Sequence, residues 1–257
     1  MSAARPLNGS QGTEAQGVTP EELAQRLQEA LDEGVITQIY KAASVRPEEI
    51  LTEMQLAGLE ATTIDGLLTQ PTEELDPFAD KVLSDVRRTG AIAGATYGAG
   101  GVLTALPEVV HLMVLIMRTA QRLSLVYGQE IQSFRGRMRL WETMGEALGV
   151  DPEILATASA ELAQDLPVPF FQRPGLPVDP VTIRVAQKVL ITVAIPLISK
   201  RWARLVPVLG IGVSTLGNYV LLQRLGSDLK AAYRGRHQLL AARRAGSSQR
   251  VEFQLDH

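Results

Sequence analysis

The sequence predicts an all-α fold in which glycine-rich apolar helices pack centrally, amphipathic helices surround them, and little or no sheet forms. Three observations carry this prediction. Apolar residues recur at three- and four-residue spacing along most of the chain. No alternating run bounded by tight hairpin turns occurs. Two glycine-punctuated apolar stretches, residues 89–128 and 205–223, read as the paired centre of the fold. In the first, Gly90, Gly94 and Gly98 lie four apart, so one helix face lacks Cβ atoms and lets another backbone approach. With Gly100 and Gly101, five glycines weaken a lone helix by about 1 kcal/mol each relative to alanine. Packing against a second element or lipid must therefore stabilise it.

The elements follow in order. Residues 1–18 are polar and Gly/Ser/Gln-rich, and read as a disordered tail. Thr19-Pro20-Glu21-Glu22 forms a capping box with proline at the first helical position, and the helix is expected to run through Glu33 and stop at Gly34, with Leu23, Leu27 and Leu31 inward. Pro47 opens a second helix with Ile50, Leu51 and Met54 inward, and Asp76-Pro77 opens a third with Phe78, Val82 and Val86 on one face. A long helix spans about residues 107–126, stopped at Tyr127-Gly128, and Asp151-Pro152-Glu153 starts another through about Gln164. Residues 165–180 hold five prolines and form a loop or lid, with Phe170 and Phe171 a core plug or a membrane-inserting tip. Helical periodicity resumes at Val181, Pro196 implies a kink, and a basic helix from about Asp228 to Arg244 closes the chain.

Composition narrows the function classes. The chain of 257 residues has no cysteine, which excludes a disulfide framework and a thiolate metal site. No leader of basic, apolar and small residues occurs, so a cytoplasmic location is expected. The net charge of −3 conceals an asymmetry: residues 1–80 hold 15 acidic and 4 basic side chains, the rest 13 acidic and 21 basic. Either the basic part meets anionic lipid, or an acidic helical layer covers a basic one. A sequence pI near 5.7 and few aromatics argue against nucleic acid as partner. The most apolar portion, Val109 to Met117, is too short to span a bilayer, and Glu108 and His111 oppose insertion, so reversible association is expected instead.

Candidate chemistry is sparse. Glu108, His111, Arg118 and Arg122 fall on one polar stripe of the long helix. Glu108-x-x-His111 has di-iron spacing, but such a site needs a second Glu-x-x-His and two more carboxylates, so no metal and no cofactor are expected. A paired Glu-His-Arg network between helices is the plain reading, and a ligand-headgroup or proton-transfer site is the functional one. Gly212-Val213-Ser214-Thr215-Leu216-Gly217 misses the nucleophile elbow by one residue, and Asn218-Tyr219 reads as an interhelical polar pair. Two basic patches enclose tryptophans: Arg135, Arg137 and Arg139 beside Trp141, and Lys200, Arg201 and Arg204 beside Trp202. In a membrane reading the indoles lie at headgroup level and the cations meet phosphates.

The glycine-rich run leading into an apolar helix that ends Leu125-Val126-Tyr127-Gly128 resembles the front signature of the EcsC protein family. Val206-Pro207-Val208-Leu209-Gly210, with Asn218-Tyr219 beyond, is similar to its closing signature, and Tyr233-Arg234-Gly235-Arg236 fits its basic tail. The resemblance spans about residues 75–240 and contains no catalytic letters. It implies a cytoplasmic, membrane-associated helical protein, accessory to an ABC transport or secretion system. Relatives with acidic residues among the glycines differ from this chain, which has none from Thr89 to Pro107.

The expected organisation is thus a disordered tail (1–18), an acidic helical lead-in (19–75), an EcsC-like helical domain (76–245) and a flexible tail (246–257). The leading expectation is a non-enzymatic protein whose partner is membrane lipid or a lipophilic ligand. Gly94, Gly98, Glu108, His111, Arg118, Arg122, Asn218 and Tyr219 would contact that ligand, and the two Trp patches would meet the membrane. The alternatives are a subunit docking a transporter or other protein through the acidic front helices, and an enzyme on a lipophilic substrate using Glu108 and His111.

Overall fold

A computed structural model describes residues 25, 29–97, 105–151, 153, 182–192 and 211–255, with the side chains of 91–97, 105–109, 211–218, 221 and 246–255 excluded. Of the described residues 82% are helical, and none of them form strands. Helices α1 (Glu33–Ala43) and α2 (Pro47–Leu56) lead through a 3-10 turn (Asp65–Thr69) to α3 (Thr72–Tyr97), α4 (Ala105–Val126) and α5 (Phe134–Ala147). A helical segment over 182–192, here α6, and the 45-residue α7 (Ile211–Leu255) follow.

The front region departs from expectation. Instead of ending at Gly34, helix begins at Glu33, because the Asp32 carboxylate accepts the Val35 N–H at 2.8 Å and caps a new N-terminus. Ile36, Ile39, Tyr40 and Ala43 then recur at helical spacing and are buried. Pro47 does open α2, with Ile50 and Met54 buried. Asp76-Pro77, by contrast, does not open the third helix. That helix starts at Thr72, and Pro77 sits inside it. It also continues through Gly90 and Gly94, so the third helix and the first half of the glycine-rich stretch are one element.

The α4 prediction holds closely. Tyr127 caps the helix, the Gly128 N–H donates to Leu125 O at 3.0 Å, and the Gln129 N–H donates to Ser124 O at 2.8 Å, a Schellman stop. Gly128 has φ 74°, and a Cβ there would lie 2.9 Å from the Leu68 backbone N. Gly128→Ala therefore combines left-handed strain with overpacking, and urea melts should show a loss of about 2–3 kcal/mol.

Helix α4 is the hub of the core: α1, α2, α3, α5 and α7 all pack on it. The most extensive pairing joins α3 to α7. It is close enough that a Cβ on Gly90 would lie 2.0 Å from Leu222 Cδ1, and one on Gly226 would lie 2.8 Å from Leu83 Cδ2. The side chains and surroundings of Gly94, Gly98 and Gly212 lie outside the described residues. So do the 165–180 loop and most of the helix expected after Asp151, although Asp151 Oδ1 does accept the Glu153 N–H at 2.9 Å.

The charge asymmetry resolves within the chain. Six acids of the front region face basic partners further along: Glu33 with Arg184, Glu53 with Arg122, Asp65 with Arg244, Glu73 and Asp76 with Arg234, and Asp80 with Lys230. An acidic layer therefore covers a basic one across the α3–α7 and α2–α4 contacts.

Candidate functional site

From His111 onward, helix α4 is buried on every side but one. From His111 to Val126 only His111, Val114, Arg118 and Arg122 are even half-exposed, and spacings of three and four residues align them on one strip. This is the stripe expected from sequence, with the Glu108 side chain outside the described residues. Arg122 reaches across to α2, where its Nη2 donates to Glu53 Oε2 at 2.8 Å. Gln121, 2% exposed, borders the strip and accepts the Val45 N–H at 3.1 Å through its Oε1. Arg118 lies one turn before both, with no carboxylate in ion-pair range among the described residues.

A second polar assembly links the segments that carry the family-like letters. The Tyr127 hydroxyl donates to Asp76 Oδ1 at 2.7 Å, and Arg234 Nε donates to Asp76 Oδ2 at 3.1 Å. Arg234 Nη2 also donates to Thr72 Oγ1 at 3.1 Å, and Lys230 donates to Asp80 at 2.6 Å. The His237 ring sits between two carbonyls, with Nδ1 3.0 Å from Tyr127 O and Nε2 3.1 Å from Gln70 O. Gln129 donates to Tyr233 O, and the Tyr233 hydroxyl donates to Leu140 O at 3.1 Å. Burial above all, then donation to the Asp76 carboxylate, holds the Tyr127 hydroxyl far above its ordinary range; burial does the same for Tyr233. These phenols stay protonated and act as fixed donors, not nucleophiles. The assembly clamps α3, the end of α4 and α7 together.

Asp76 and His237 were not expected here. Asp76 reads in sequence only as part of a helix opener. The usable signal was that Tyr127 and Tyr233-Arg234 both fall in the family-like motifs, which places their neighbours together.

The surface candidates divide. Trp141 is fully buried, so the headgroup position expected for its indole is corrected: α5 turns that face into the core beside Leu140 and Met144. Arg137 is half-buried and donates to Gln132 O. Arg135 and Arg139 are exposed, four residues apart on α5, with no acidic partner among the described residues. Tyr219 is 39% exposed, with no hydrogen bond among the described residues. Asn218's side chain and all of Lys200, Arg201, Trp202 and Arg204 lie outside the described residues. No cluster of three potential metal ligands occurs among the described residues.

Compared with known proteins, residues 8–237 match the sequence model of the EcsC protein family, reaching well upstream of residue 75. No curated protein and no solved structure matches.

Proposed function

The chain belongs to the EcsC protein family, and from that membership we propose that it works without catalysis at a membrane surface, where unpaired cations meet anionic lipid. The observation that carries this reading is the Arg135–Arg139 pair, exposed on one face of α5 while the cations of α7 at 230, 234 and 244 are bound to the chain's own acids. Among the described residues no helix is long and apolar enough to cross a membrane, which favours peripheral attachment over spanning. The partner class is membrane lipid or a lipophilic ligand. The location is the cytoplasmic face, and the role is accessory to an ABC transport or secretion system, as the family resemblance implies.

The rival role, docking a protein through the acidic front helices, has less support. Glu33, Glu53, Asp65, Glu73, Asp76 and Asp80 already face basic groups of the same chain. Flotation with phosphatidylglycerol vesicles at low salt tests the membrane reading. Wild type should float and should release as salt rises. At about 1 kcal/mol per surface cation, Arg135→Gln with Arg139→Gln should weaken binding about thirtyfold. Wild type that stays in the pellet fraction at low salt would refute the proposal.

A further inference from the structure

We propose that the open strip of α4 is a built site for a phosphate oxyanion, held by Arg118, Gln121 and Arg122. It lies on a different helix from Arg135 and Arg139, and it stands whether or not those residues touch a membrane.

The donors are fixed by their neighbours. A backbone N–H can be answered only by the oxygen of a side-chain amide, so the bond from Val45 N to Gln121 Oε1 sets the amide's orientation. Gln121 Nε2 is thereby turned the other way, and it is buried with no acceptor among the described residues. Arg122 spends Nη2 on Glu53, while its Nε is also buried, with no acceptor among the described residues. Arg118 stands three residues before Gln121 and four before Arg122, so its guanidinium rises from the same face. Buried donors in folded proteins are nearly always answered, yet Gln121 Nε2 and Arg122 Nε have no matching oxygen among the described residues, and the half-exposed Arg118 stands one turn away.

Charge selects the ligand. Two guanidinium groups against the Glu53 carboxylate leave one positive charge, which an oxyanion neutralises and a neutral acceptor does not. Guanidinium forks match phosphate oxygens in geometry as well as charge. A phosphodiester, singly charged, fits this balance. Its source is either a phospholipid headgroup or a free phosphate compound.

Titration calorimetry on the full chain tests the site with three probes: inorganic phosphate, glycerophosphoglycerol, and phosphatidylglycerol vesicles against phosphatidylcholine ones. At least one phosphate probe should bind. Arg118→Gln should weaken that binding by about tenfold to a hundredfold, the range for losing a charge-assisted bond. Arg118→Lys should fall between, because charge remains and the fork is lost. Glycerophosphoglycerol binding more tightly than inorganic phosphate supports the phosphodiester, the reverse order a free phosphate, and vesicles alone a headgroup. Arg135→Gln with Arg139→Gln should leave the soluble probes unaffected, so this site and the surface reading fail separately. No binding of any probe at millimolar concentration overturns the site. So does Arg118→Gln that keeps the wild-type melting temperature and binds as wild type does.

Discussion

A chain starting at residue 57 should fail to fold. The removed segment supplies Leu31, Ile36, Ile39, Ala43, Ile50 and Met54, each at most 2% exposed, to the same apolar cluster as Met117, Leu123 and Trp141. Truncating one such side chain to alanine costs about 2–5 kcal/mol, so three losses already rival the 5–15 kcal/mol by which a typical domain is stable. The truncation also removes Glu53 from Arg122 and Val45 from Gln121, stripping partners from buried polar groups on α4. Circular dichroism and size exclusion of residues 57–257 should show lost cooperative melting and aggregation. A monomer that melts cooperatively near the full-length temperature would show that the front helices are a detachable arm, and would revive the docking role.

Stability should fall steeply above about pH 10. A tyrosine in an unfolded chain releases its proton near that pH, whereas Tyr127 and Tyr233 are held protonated in the fold, chiefly by burial. Above pH 10 the unfolded state therefore binds fewer protons than the folded one, and the free energy of unfolding decreases with pH. The contribution is fully present below pH 10 and is lost upward, by about 1.4 kcal/mol per pH unit for each tyrosine, or about 2.7 for the pair. Urea melts from pH 8 to 11.5 should trace this slope, and Tyr233→Phe should remove about half of it. A flat stability profile to pH 11 would contradict the burial of these two hydroxyls.

Local patterns were legible where one short-range interaction dominates. Gly128 stops α4 because the left-handed residue of a Schellman turn is needed there, and Pro47 opens α2 because its missing N–H would be unpaired anyway. The same logic misfired where two local signals competed. Gly34 looked like a helix stop, but Asp32 beside it makes a stronger start. Asp76-Pro77 looked like a start, but α3 begins one turn earlier and absorbs the proline. Trp141 looked like a surface anchor because three arginines surround it in sequence. On a helix those neighbours point elsewhere, and the indole enters the core.

The candidate site was half legible for the same reason. Helical periodicity placed His111, Arg118 and Arg122 on one stripe without any tertiary information, since a 3.6-residue repeat is local. Nothing local pointed to Gln121, whose role depends on a backbone N–H 76 residues away. By itself, then, the sequence determined the all-α class, the helix start at Pro47, the helix stop at Tyr127-Gly128 and the polar face of α4, all set by interactions within a turn or two of chain. Only the tertiary structure decided which charges are spent and which remain. Asp65 finds Arg244 across 179 residues and Asp76 finds Arg234 across 158. Such pairings depend on the distance between packed helices, which no repeat along one helix encodes.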